Sequence, residues 1–218
     1  MKPAAIITDI EGTAAPIAFV HDVLFPYARA RMADFVASDH AALGEVPAPQ
    51  LETLLGWMDR DEKITALKTI QGILWDDGYR AGALTAEIYD DVAPALRRWA
   101  RAGLRLYIYS SGAVQAQKLL FGHTPQGDLT PLFQAYFDTR IGPKREAASY
   151  DAIAKGIGLP GAEILFLSDV EAELDAAAQA GLQTCQLVRV PDGTIASARH
   201  ETAADFTEVA QIFALPHG

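Results

Sequence analysis

Asp9-Ile10-Glu11-Gly12-Thr13 follows directly on the apolar run Ala4-Ala5-Ile6-Ile7. That run is short, uninterrupted and bounded, the pattern of a strand buried on both faces, and the acids fall where it ends. Ligands of open α/β sheets bind at the carboxyl ends of the strands. Two carboxylates there suit a hard cation such as Mg²⁺, which takes oxygen ligands and keeps several waters. Gly12 lets the backbone turn sharply and approach an anion, and Thr13 adds a hydroxyl donor.

Similar signals recur along the chain. Leu106-Tyr107-Ile108-Tyr109 ends in Ser110-Ser111-Gly112, and Ile164-Leu165-Phe166-Leu167 ends in Ser168-Asp169, with Glu171 and Glu173 just beyond. Between them, Lys144 sits in the loop Gly142-Pro143-Lys144 ahead of a helical pattern. Strand signals fall at about 4–8, 105–110, 135–138, 163–168 and 183–188, with helical patterns at about 91–102, 113–121, 145–158 and 171–180. This alternation predicts an α/β fold, a Rossmann-like doubly wound parallel sheet with helices on both faces. Gly103, Gly122, Gly158 and Gly181 stand where helix C-terminal caps are expected. Residues 15–89 interrupt the alternation: they hold no clear strand and read as helices at about 20–38, 49–59 and 61–81. The tail from Pro191-Asp192-Gly193-Thr194 onward reads as a hairpin-like turn with a short terminal helix.

The composition narrows the class. Half of the 218 residues are apolar, enough for a sizeable core. A net charge of −10 with no dense Lys/Arg run argues against a nucleic-acid surface. The single cysteine, Cys185, excludes an internal disulfide and fits a reducing, cytoplasmic setting; its place in Gln183-Thr184-Cys185-Gln186-Leu187 reads as a buried strand thiol. The start of the chain does not read as a signal peptide, and no apolar stretch is long enough to span a bilayer. His21, His40, His123, His200 and His217 form no ligand-like cluster and read as surface or structural.

The ordered set of Asp9-x-Glu11-Gly12-Thr13, Ser110, Lys144 and Ser168-Asp169 resembles the four motifs of the haloacid dehalogenase superfamily of phosphotransferases. Each motif is weak alone; all four, in order and at strand ends or loops, are specific. Glu11 at the second acid narrows the likeness, as do Pro16-Ile17-x-Phe19-Val20-x-Asp22-Val23-Leu24-Phe25-Pro26-Tyr27-Ala28, Trp75-x-x-Gly78-Tyr79-x-x-Gly82, and Gln115-Ala116-Gln117-Lys118-Leu119-Leu120-Phe121-Gly122. Over about residues 4–188 the chain is similar to the enolase-phosphatases of methionine salvage. One departure is Ala14, where that family often carries Thr; the lost hydroxyl bears on a secondary ligand contact and not on the main reaction.

The resemblance implies a haloacid dehalogenase-like core (residues 1–14 and 90–218) carrying a helical C1-type cap (15–89) inserted after the first strand. It implies Asp9 as the nucleophile that forms an aspartyl-phosphate. One Mg²⁺ would be held by Asp9, the backbone carbonyl of Glu11, and Asp169. The Glu11 side chain would protonate the leaving group and deprotonate water. Ser110, Ser111 and Lys144 would bind the phosphate, the serines through hydroxyl and backbone N–H groups near a helix start and Lys144 as a point charge. Glu171 or Glu173 could hold metal-bound water or act as base. The implied reaction enolises 2,3-diketo-5-methylthiopentyl 1-phosphate and then removes the phosphate to give the acireductone. The base of the first step stays open among Glu11, Glu173 and a cap residue. Phe19, Phe25, Tyr27, Trp75 and Tyr79 could face the methylthio group or simply form cap core. Competing readings are another small-molecule phosphatase or phosphomutase on the same scaffold, and a non-catalytic binder of a phosphorylated ligand. A monomer is the family expectation, with a small-molecule substrate and neither nucleic acid nor membrane as partner.

Overall fold

The structure is a computed structural model that describes residues 2–216, so the reading of His217 lies outside the described residues. The chain divides into two compact units, Met1–Ile17 with Glu87–Gly218, and Ala18–Ala86.

In the first unit, β1 (Ala5–Thr8), β2 (Arg105–Tyr109), β3 (Phe133–Phe137), β4 (Ile164–Ser168), β5 (Gln183–Leu187) and β6 (Glu201–Ala203) form one sheet in the order β3-β2-β1-β4-β5-β6, with every pairing parallel. The order reverses direction between β1 and β4. Such a reversal opens a crevice beyond the strand ends where ligands bind in doubly wound sheets, and Asp9 and Asp169 each follow one of these two strands.

The period of two along each strand sorts side chains between two covered faces. Ala5, Ile7, Tyr107, Tyr109, Ile164 and Phe166 fill one face, where they pack with Tyr150, Ile153 and Leu174. These last three belong to α6 (Ala147–Ile157) and α7 (Glu171–Gln179). The rings of Tyr109 and Tyr150 meet edge-on at 5.5 Å, and those of Tyr150 and Phe166 at 5.1 Å. The alternate residues Ile6, Leu106, Ile108, Leu165 and Leu167 are buried as well. α4 (Val92–Arg101) packs on β2 and against α8 (Phe206–Ile212), where Trp99 stacks on Phe206 at 5.3 Å. α5 (Val114–Gly122) packs on β3.

Two sequence expectations change here. Gly103, Gly158 and Gly181 follow their helices in the left-handed region, but Gly122 is the last residue of α5, and its φ is not positive. The tail forms no hairpin: after a 3₁₀ turn at Val190–Asp192, β6 joins the edge of the sheet parallel to β5 before α8. A parallel edge strand needs only a few ladder bonds, and Glu201-Thr202-Ala203 carries no apolar run to reveal it.

The second unit is helical, with no strand among its described residues. A π-helical turn, Phe19–Leu24, runs into α1 (Phe25–Ala37); a 3₁₀ turn, Ala41–Glu45, precedes α2 (Gln50–Asp59) and α3 (Thr65–Arg80). The helix expected from residue 61 starts at Thr65 because Asp61 takes a φ of +49° and the Glu62 N–H caps α2 on the Trp57 carbonyl at 2.9 Å. The aromatics build this unit's own packing. Trp75 donates its indole N–H to the Leu24 carbonyl at 2.8 Å and stacks on Phe25 at 6.3 Å. Gly78 makes room for Tyr27, whose ring a Cβ would meet at 2.7 Å.

Phe166 is fully buried at the centre of β4. Phe166→Ala is therefore expected to cost about 3–5 kcal/mol of stability, read as a lower urea midpoint with an unchanged slope.

Candidate active site

Asp9 leaves the end of β1 with its backbone N–H donating to the Leu167 carbonyl of β4 at 2.9 Å, so the first motif is fixed to the neighbouring strand. The chain then folds into a tight loop. The N–H groups of Ala14 and Ala15 both donate to the Ile10 carbonyl at 2.8 Å, and Gly12 donates to Ala15 at 2.8 Å. Gly12 has a φ of +70°, and a Cβ there would lie 2.5 Å from Oδ2 of Asp169. Glycine is thus required twice over, for the turn and for the approach of Asp169. The Thr13 hydroxyl donates to Oδ1 of Asp169 at 3.5 Å.

Lys144 Nζ stands between two carboxylates, 2.6 Å from Asp9 Oδ2 and 2.6 Å from Glu173 Oε2, with all three side chains largely buried. The other Asp9 oxygen, Oδ1, accepts the Ile10 N–H at 2.7 Å. The Ser168 hydroxyl donates to Glu173 Oε2 at 3.0 Å and reaches Asp9 Oδ2 at 3.4 Å. The loop that carries Lys144 is tied to the core by hydroxyls: Tyr109 donates to the Gly142 carbonyl at 2.9 Å, Ser149 to Pro143 at 2.7 Å and Tyr150 to Lys144 at 2.7 Å.

The structure therefore brings Asp9, Lys144, Asp169 and Glu173 together and separates Glu171 from them. Glu171 turns to Ser197 and to Arg199, 2.9 Å away, on a far more open surface. Along α7, residues 171 and 173 are neighbours in sequence but face different directions. Ser110 follows β2, whose Ile108 is in register with Thr8, so it ends beside the first motif. Its buried hydroxyl accepts the Gly112 N–H at 3.1 Å, while Ser111 is exposed. Glu11 is half-buried and bridges through its backbone to Ala15. Sequence reasoning missed two groups. Ser168 was visible only as a neighbour of Asp169. Gln117 donates to the carbonyls of Gly112 at 2.8 Å and Phe137 at 2.9 Å, tying the Ser110 loop to the end of β3.

Burial and then the charge of Asp9 push the Asp169 carboxyl up to about 7. The same two causes raise Glu173, against the opposing pull of Lys144. Burial alone would lower Lys144, but Asp9 and Glu173 outweigh it and hold its ammonium above the ordinary lysine value. Three carboxyls thus share one ammonium, an imbalance that a cation would correct. Among the described residues no three His, Cys, Asp or Glu side chains group as a metal cage. Carboxylate and carbonyl oxygens with water suit Mg²⁺ rather than a softer metal, and oxygens of this chemistry are what Asp9, Asp169 and the Glu11 backbone carry.

Residues 3–181 match the family model of the haloacid dehalogenase-like hydrolases. The chain is 57% identical to Enolase-phosphatase E1 of Acidiphilium cryptum, over 99% of this chain and 97% of that one. It is 58% identical to Enolase-phosphatase E1 of Granulibacter bethesdensis, over 99% and 98%. Among solved structures, the UTR4 protein of Saccharomyces cerevisiae superimposes with a TM-score of 0.83 at 33% identity, covering 93% of this chain and 98% of that one. CbbY of Rhodobacter sphaeroides, at 14% identity and a TM-score of 0.68 over 96% of each chain, shares the fold.

Unbalanced carboxyls predict a metal-free protein under electrostatic strain at neutral pH. In chelator, Asp169→Asn should melt about 3 °C or more above the parent, because it removes a buried charge that repels Asp9. Added Mg²⁺ should then raise the melting temperature of the parent and leave the variant nearly unmoved, as differential scanning fluorimetry would read.

Proposed function

The chain belongs to the haloacid dehalogenase-like hydrolases and, within them, to the enolase-phosphatases, and we propose that it converts 2,3-diketo-5-methylthiopentyl 1-phosphate to the acireductone 1,2-dihydroxy-3-keto-5-methylthiopentene by enolisation and then dephosphorylation. The observation that carries the reading is Asp9: a buried carboxylate at the switch point of the sheet, held at 2.6 Å by Lys144, in a chain alike to enolase-phosphatases over nearly its whole length.

Asp9 attacks the phosphorus: its carboxylate oxygen forms the new P–O bond as the ester bond breaks, giving an aspartyl-phosphate that water then splits. Lys144 pairs with Asp9 and offers charge to the phosphoryl oxygens. Ser110 and Ser111 supply hydroxyl and N–H donors at the strand end that precedes α5. Glu11 protonates the leaving oxygen and afterwards takes the proton of the attacking water. Asp9, the Glu11 carbonyl and Asp169 would hold Mg²⁺, which supplies charge neutralisation of the transferring group when bound. For the enolisation, Glu173, buried beside Lys144 and with its proton affinity raised by burial and by Asp9, is read as the base that takes the proton next to the ketone, and the enolate oxygen takes up a proton in return.

The helical unit, Ala18–Ala86, serves as the C1-type cap that supplies substrate specificity; its insertion a few residues after Asp9 supports this. Its aromatics first satisfy one another, so few of them are left to meet the methylthio tail. We further read the enzyme as a cytoplasmic monomer acting on a small phosphorylated substrate, supported by the charge of −10 and by the lone, buried Cys185. Among the described residues no helix is long and apolar enough to cross a membrane.

Purified protein, the diketo-phosphate and Mg²⁺, followed by ultraviolet absorbance and free phosphate together, test the reading. An enol absorbance that rises and decays as phosphate appears is expected; release from generic phosphoesters but not from this substrate would keep the scaffold and reject the substrate. Asp9→Asn should lower phosphate release by roughly a thousandfold or more with the circular dichroism spectrum unchanged. Chelation should silence the parent enzyme and Mg²⁺ restore it.

A further inference from the structure

Arg189 stands just after β5, beyond the residues that the family model covers, and no motif marks it. It is nonetheless one of the most buried charges in the chain, with only 4% of its surface exposed. Nε and Nη2 both donate to the Thr13 carbonyl, at 3.1 and 2.9 Å. Nη1 and Nη2 grip Asp91 as a fork, each at 2.9 Å, and Nη1 also donates to the Ala204 carbonyl at 3.1 Å. Every N–H of the guanidinium thus has a partner. Its Cζ lies over the Tyr89 ring, 4.1 Å from the ring centre, and Asp91 in turn accepts the Phe206 N–H at 2.8 Å.

We propose that Arg189, held by Asp91, is a positioning residue for catalysis: it fixes the Asp9–Thr13 loop through the Thr13 carbonyl. The proposal rests on the reading of that loop as the nucleophile loop. Thr13 joins the two sides of the site, since its carbonyl is gripped by Arg189 while its hydroxyl faces Asp169. Gly12 beside it touches Asp169 so closely that no Cβ fits. A shift of the Thr13 carbonyl therefore moves Gly12 and the Thr13 hydroxyl against Asp169. The neighbouring stretches are tied in as well. Tyr89 donates its backbone N–H to Ala14 at 3.1 Å and its hydroxyl to Asp192, and Asp192 accepts the Ile17 N–H at 3.1 Å. A lysine at 189 keeps the charge but has no planar fork to bind a carbonyl and a carboxylate together.

The test compares Arg189→Lys, Arg189→Ala and Asp91→Asn with Ile157→Ala, a core truncation at the C-terminal end of α6, chosen to match the loss of melting temperature. The parent and Asp9→Asn are assayed in the same run, so that an inactive parent counts against the proposed function and not against Arg189. For Arg189→Lys, kcat should fall about tenfold or more with KM within about twofold, while Ile157→Ala keeps the parent kcat. Methylguanidinium should restore part of the kcat of Arg189→Ala and do nothing for Ile157→Ala. Should the Arg189 variants not fold, the same criteria apply to Asp91→Asn. A parental kcat in Arg189→Lys, or a loss of kcat equal to that of the matched control, would overturn the proposal.

Discussion

The site depends on one buried ammonium placed between two buried carboxylates. Lys144, Asp9 and Glu173 lie within 2.6 Å contacts at a place where none of the three charges would be tolerated alone. Deleting Lys144 would leave both carboxylates buried and unpaired, which costs about 3–5 kcal/mol, far more than an exposed ion pair contributes. The aromatic core of the sheet takes part directly. Tyr109 and Tyr150 pack their rings on Phe166 and spend their hydroxyls on the backbone of the Lys144 loop. Core packing and the placement of the Lys144 charge are thus one interaction seen from two ends.

The sheet order explains why distant residues meet. Asp9 and Asp169 are far apart in sequence, yet β1 and β4 are neighbours on the two sides of the reversal, and their in-register pairing sets the acids side by side. The same arrangement concentrates negative charge. Asp169 is driven up to about 7 mainly by burial and then by Asp9, and Lys144 offsets only part of the excess. A divalent cation offsets that excess, and with it the repulsion that a phosphate would otherwise meet from these carboxylates. The protein's overall negative charge is consistent with that local bookkeeping, since the field that binds phosphate is made by a few placed groups rather than by the surface.

Much of this was legible in the sequence, for reasons that particular residues show. β1, β2 and β4 are continuous apolar runs because they are covered on both faces, and polar residues mark their ends. β6 was not legible because an edge strand of three residues needs neither apolar alternation nor length. Residues 171 and 173 are both acids in the first turn of α7, and sequence has no means of choosing between them; burial on Lys144 against exposure to Arg199 decides it. Ser168, Gln117 and Arg189 were missed for a common reason. Each acts on backbone or on another side chain, Ser168 and Gln117 partly close by in sequence and Arg189 far away at Thr13, and none of these contacts follows a spacing that marks it beforehand.

The central claim is that Asp9 carries the phosphoryl group. The most direct measurement is a single turnover with the phosphorylated diketone, quenched in acid within milliseconds and digested for mass spectrometry. A phosphoryl group on the peptide that contains Asp9, rising before free phosphate and then decaying, is the predicted result. Free phosphate that forms without any such adduct, or a phosphoryl group found on another residue, would contradict the account.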